Sequence, residues 1–114
     1  MRFYKVSGLL SGSDDQLIPF SLKGRNLLLI YTNGRYSISK RYCPHAGADL
    51  ANGWCKEGKL VCPHHRYQYD LETGRGAPGQ NDYLEVYPLE IRPDGIYVGI
   101  AEPILVRLKK FLGL

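Results

Sequence analysis

The stretch Cys43–Asp70 reads CPHAGADLANGWCKEGKLVCPHHRYQYD. It holds a C-x-H pair, Cys43 and His45, and a C-x-x-H pair, Cys62 and His65. Each pair sits in a short loop. Pro44 and Pro63 fix φ and stiffen those loops, and Gly47 lets backbone approach a bound group closely. Each loop therefore offers one soft thiolate and one imidazole. All four on one ion would suit tetrahedral zinc. Shared two and two between a pair of irons, they would suit a [2Fe–2S] centre with mixed ligation. Spacing favours the second reading, because zinc hairpins usually place two sulfurs in one turn as C-x₂₋₄-C.

The segments C-P-H-A-G-A-D-L and C-P-H-H-R-Y-Q-Y-D-L-E-T-G resemble the two cluster-binding boxes of the Rieske family, and most of all those of its soluble bacterial ferredoxins. Gly47, Asp70 and Gly74 accompany the four ligand types, and with the flanking strands the resemblance spans residues 2–100. It implies one Rieske [2Fe–2S] cluster per chain. Cys43 and Cys62 would hold the inner iron, and His45 and His65 would hold the outer iron at an exposed tip. A docking surface would then lie around His45, His65 and the Pro-containing loop Gly76–Gly79, which covers the cluster in the family. High-potential members place a Ser two residues after the second His ligand and a Tyr two residues beyond that. Here Tyr67 and Tyr69 stand at those positions. Tyr67 is too long to replace the Ser, and Tyr69 is left to donate to a cysteine sulfur. With no Cys near Ala48 or His64 to form the loop disulfide of respiratory members, the resemblance implies a potential toward the low end of the Rieske range of about −150 to +300 mV.

A length of 114 residues implies one domain, 1–114, with the cluster-binding subdomain at about 42–79 and a C-terminal tail at 103–114. A hydrophobic content of 44% and a charged content of 23% are ordinary for a globular protein. The net charge of +4 is spread out apart from Arg107, Lys109 and Lys110, which argues against nucleic acid as a partner. Met1–Ser13 has no long apolar run of the kind that makes a signal peptide or membrane anchor. Of the three cysteines, Cys55 is left over, and an odd thiol suits a reducing compartment. These features lead to the expectation of a cytoplasmic protein, with Cys55 a small, partly buried hydrophobe beside Trp54.

The resemblance implies electron transfer rather than catalysis. An oxygenase of this family needs a second iron held by two His and a carboxylate. The chain has three histidines, so only His64 would remain, and it reads as a solvent-facing neighbour of the ligand. The expected role is a one-electron shuttle from a reductase to a terminal oxygenase or similar redox protein. The alternatives are a small subunit bound permanently to a larger redox enzyme, and a zinc-stabilised interaction module.

The remaining chain reads as strands: Arg2–Val6, Leu17–Leu22, Asn26–Thr32, Arg35–Arg41, Lys59–Val61, Arg66–Asp70, Leu84–Tyr87, Leu89–Arg92 and Ile96–Ile100. Pro19 makes the second an edge strand. Asn33-Gly34 is a strong hairpin signal, and Asp94-Gly95 reads as a further turn. The expected fold is all-β, a small antiparallel sandwich or barrel. Gly74–Gly79 matches G-x-G-x-x-G, but a strand pattern follows where a dinucleotide site needs a helix, and Pro78 lies inside the motif. In the tail, Ile104, Leu105, Leu108, Phe111 and Leu112 share one face at helical spacing. That predicts either a short helix or extended end packed on its own barrel, or a docking element for a partner or an acidic membrane surface.

Overall fold

A computed structural model describes residues 1–101, so the tail read above lies outside the described residues. Among the described residues no helix is long and apolar enough to cross a membrane. The described elements are strands and a single 3₁₀ turn, as the all-β expectation requires. In chain order they are β1 (Arg2–Ser7), β2 (Gln16–Leu22), β3 (Arg25–Thr32), β4 (Arg35–Lys40), the 3₁₀ turn (Leu50–Asn52), β5 (Trp54–Lys56), β6 (Lys59–Val61), β7 (Gln68–Asp70), β8 (Val86–Tyr87), β9 (Leu89–Arg92) and β10 (Gly95–Ile100). All strand pairings are antiparallel. The described residues form two compact units, one of Met1–Leu9 with 88–101, the other of Leu10–Tyr87.

The first unit is the sheet β1-β10-β9. Its β9–β10 turn is Pro93-Asp94, because Arg92 pairs with Gly95. The expected Asp94-Gly95 turn is thus shifted by one residue. Pro93 presets the turn's φ, while Gly95 (φ 152°) already belongs to the strand. A Cβ at Gly95 would fall on the Ser7 carbonyl oxygen.

The second unit carries the sheet β2-β3-β4-β8, with β2 at its edge. That is where Pro19, which has no N–H to give a second neighbour, can be accommodated. β3 is deeply placed in this unit. Leu27, Leu28, Leu29, Ile30 and Tyr31 are all buried, and since successive side chains alternate in direction, both its faces are covered. Leu28 and Ile30 join Leu50, Leu60, Tyr69, Leu71, Leu84 and the two box cysteines in one apolar cluster.

A third sheet, β5-β6-β7, lies in the same unit. The sequence reading missed β5. Its signal is Glu57-Gly58, whose φ values of 50° and 79° make the two-residue turn of the β5–β6 hairpin. Lys23-Gly24 (52°, 75°) and Asn33-Gly34 (51°, 73°) turn β2 into β3 and β3 into β4 in the same way. Only the Asn-Gly pair has a first residue that favours the left-handed region, and it was the one recognised. β7 starts at Gln68 rather than Arg66, because His65 and Arg66 both have positive φ (61° and 57°) and cannot be strand. The Gly74–Gly79 motif opens no helix. Instead the chain after Gly74 runs beside β7, through Asp70 N–H to Arg75 O (2.9 Å), Ala77 N–H to Gln68 O (3.0 Å) and the Tyr69–Gly76 bridge.

Candidate metal centre

Both loops are closed by the backbone of their own cysteine. Cys43 N–H donates to Ala48 O (2.8 Å), and Gly47 N–H returns to Cys43 O (2.8 Å). Gly47 sits at φ 72°, which a glycine adopts without strain. Asp49 braces this loop in two ways. It accepts two bonds from the Arg41 guanidinium (3.1 and 2.8 Å), and it caps the 3₁₀ turn through Ala51 N–H (3.0 Å). The Arg41 hydrogen bonds, with the Ala51 amide, hold the Asp49 carboxyl below the usual carboxylate range against the opposing effect of burial. In the second loop Cys62 N–H donates to Tyr67 O (2.7 Å), and the consecutive left-handed residues His65 and Arg66 make the reversal. Non-glycine residues in that region carry strain, which structures tend to keep at functional loops. Asp70 secures the far end. Its Oδ1 accepts from Glu72 and Thr73 N–H (2.8 and 3.0 Å), and the bonds from Thr73 and then Glu72 lower its pKa.

The loops bring the expected residues together as two unlike pairs, Cys43 beside Cys62 and His45 beside His65. Cys43 and Cys62 are buried in the apolar cluster. His45 and His65 are exposed, with ring centroids 5.8 Å apart in an edge-to-face arrangement. Among the described residues no three His, Cys, Asp or Glu side chains are grouped to hold one metal ion. The donor set is two inner sulfurs and two outer rings. Burial pushes the Cys62 thiol above its usual range, the His64 amide opposes that, and the neighbouring Cys43 thiol adds to it. A thiolate here needs compensating positive charge, which ferric iron supplies. The residues present fit a centre of two irons.

Two groups around the sulfurs refine the sequence reading. Tyr69, fully buried, places its hydroxyl 3.3 Å from Cys43 Sγ, as the motif position implied. The His64 backbone N–H donates to Cys62 Sγ at 3.4 Å. His64 thus contributes through its amide, which any residue but proline could supply. Tyr67 stacks on the His45 ring, with centroids 3.9 Å apart and planes 17° apart. It orients a candidate ligand, a role the spacing did not suggest. Cys55 packs against the core as expected, and burial pushes its thiol up to about 11. Asp82 was missed altogether. Its Oδ2 accepts a 2.7 Å hydrogen bond from Tyr69 Oη.

Residues 4–88 match the family model of the Rieske [2Fe-2S] domain. The chain belongs to that family, and its cofactor is a Rieske [2Fe–2S] cluster. It is an electron-transfer protein. The ferredoxin component of the alkene monooxygenase system of Xanthobacter autotrophicus is 29% identical over 80% of this chain and 75% of its own length. Aminopyrrolnitrin oxygenase PrnD of Pseudomonas fluorescens is 38% identical over 68% of this chain, a match that spans only 20% of that longer protein. Among solved structures, the ferredoxin of carbazole 1,9a-dioxygenase from Nocardioides aromaticivorans shares the fold, with a TM-score of 0.75 and 21% identity over 89% of this chain and all of that one.

Proposed function

We propose that this chain shuttles single electrons from a reductase to a terminal oxygenase or similar redox enzyme. Cys43, His45, Cys62 and His65 hold the cluster in this reading. The observation that carries it is the split donor set, with two thiols sunk in the core and two imidazoles open at the surface. When bound, the cluster supplies a one-electron couple whose potential is raised by His ligation relative to an all-thiolate centre. The protein's part is positional. The apolar cluster around Cys43 and Cys62 keeps water from the sulfurs, Tyr69 and the His64 amide lie beside them, and the exposed rings of His45 and His65 give a partner close access. The ferredoxin components among the relatives support the partner class.

The whole chain acts as one Rieske domain in this proposal, with residues of about 42–79 as its cluster-binding part. A cytoplasmic location is supported by Cys55, an odd thiol left free when Cys43 and Cys62 hold the cluster, which suits a reducing compartment. The test is a reductive titration of anaerobically purified protein with iron and sulfide analysis. One electron per chain, with about two irons and two sulfides, is expected for a [2Fe–2S] centre. Cys43→Ala and Cys62→Ala should each abolish the cluster, and a normal cluster in either variant refutes the ligand assignment. In cell extract a shuttle runs on size exclusion near its 12.9 kDa mass. Permanent elution with a large enzyme would refute the shuttle and point to a bound subunit.

A further inference from the structure

Tyr69 has one phenolic proton and two acceptors within reach. Cys43 Sγ lies 3.3 Å from the hydroxyl, and Asp82 Oδ2 lies 2.7 Å away. Once Cys43 holds iron as a thiolate it cannot donate, and an ionised carboxylate cannot donate either. The two compete for a single hydrogen. The carboxylate is the stronger acceptor, because an O–H···O⁻ bond is short and charge-assisted, while a thiolate's charge is partly given up to the metal.

Asp82 is also held in place. Its Oδ1 takes a bond from Gln80 Nε2 at 3.2 Å, and its backbone carbonyl accepts from Gly76 N–H at 3.0 Å. Gln80 in turn grips both backbone groups of Gln68, the residue before Tyr69. Its Oε1 accepts from Gln68 N–H (3.0 Å), and its Nε2 donates to Gln68 O (3.1 Å). A Cβ on Gly76 would strike Asp82 Oδ1, so glycine there leaves room for the carboxylate. The segment 76–82 thus delivers a fixed acceptor to the buried hydroxyl.

On the ligand assignment proposed above, we infer that Asp82 is a positioning residue that lowers the cluster's reduction potential by drawing the Tyr69 proton away from the Cys43 sulfur. A hydrogen bond to sulfur favours the reduced, more negative state, so removing the competing acceptor returns that bond and raises the potential.

The experiment is a double-mutant cycle on cluster-loaded protein, read by protein-film voltammetry at neutral pH. Asp82→Asn keeps the shape and removes the charge, and Asp82→Ala removes the acceptor. Each is measured with Tyr69 present and in the Tyr69→Phe background. Loss of the carboxylate charge alone raises the potential equally in both backgrounds. The inference requires an excess rise when Tyr69 is present, about fivefold in the reduced-to-oxidised ratio at fixed potential, the worth of one ordinary hydrogen bond. Tyr69→Phe alone should change the potential little. Equal rises in both backgrounds overturn the inference, and so does a Tyr69→Phe variant whose reduced-to-oxidised ratio at fixed potential falls by that same factor. If Asp82→Ala loses the cluster, Asp82→Leu, which keeps the approximate shape without an acceptor, decides with its Tyr69→Phe partner. Iron and sulfide content measured alongside separates this outcome from failure of the ligand assignment, which appears only as a cluster that survives Cys43→Ala.

Discussion

Substituting alanine for Gly74 tests whether the second box depends on close backbone approach as well as on its turn. Gly74 has φ 79°, and a Cβ there would fall on the Leu84 carbonyl oxygen. The backbone cannot slide aside freely. Gly74 N–H donates to Asp70 O (2.8 Å), and Leu84 N–H donates to Gly74 O (2.7 Å). Gly34 is the control, with φ 73° and open space where a Cβ would go. Gly34→Ala should cost only the left-handed conformation, about 1 kcal/mol. Gly74→Ala adds the collision, about 1–3 kcal/mol more. For a domain of this size about 1 kcal/mol moves the melting temperature by roughly 4 °C. The apparent melting temperature of loaded protein should therefore fall by about 4 °C for Gly34→Ala and by roughly 8–16 °C for Gly74→Ala. Cluster release makes the transition irreversible, so both are compared at one scan rate. Equal falls for the two variants would show that the Gly74–Leu84 approach is not a constraint, and the reasoning would fail.

Tyr67→Ala removes the ring stacked on His45. It should speed loss of the visible cluster absorbance in the presence of a chelator several-fold while leaving iron stoichiometry after reconstitution unchanged; an unaltered rate means the stack does not hold the ligand. Asp49 and Asp70 have pKa values lowered by the bonds of the folded state. Their stabilisation is complete above the unfolded carboxylate value of about 3.9 and is lost as pH falls below it toward the folded values. The acid slope of thermal stability between pH 5 and 3 should flatten in Asp49→Asn and in Asp70→Asn, and an unchanged slope counts against these bonds. Cys55, at about 11, is almost wholly protonated at pH 8. Alkylation of loaded protein by iodoacetamide should be much slower at Cys55 than at a free thiol, and labelling at the free-thiol rate would contradict its burial.

The proposed ligand residues stood out in the sequence because their chemistry is rare and local. Few residue types bind iron, and a C-x-H or C-x-x-H pair is confined to one loop. Most strands were legible too, since period-two alternation and an Asn-Gly turn act within a few residues. Where neighbours were atypical the signal failed. β5 was missed because Glu57-Gly58 is a turn that only the flanking β5–β6 pairing forces into the left-handed region. The start of β7 was misplaced because the second loop spends His65 and Arg66 on its reversal. What the tertiary structure alone decided is the setting of Tyr69, whose place beside a cysteine sulfur the resemblance already implied. Cys43 and Tyr69 are far apart in the chain, and Tyr69 meets Asp82 only because the 75–77 segment runs beside β7 and Gln80 locks onto Gln68. Hydrogen bonds and ring stacking act over a few ångströms of space, whatever the separation along the chain. The sequence therefore names the atoms proposed to bind iron, while the fold decides which acceptor competes for the proton beside them.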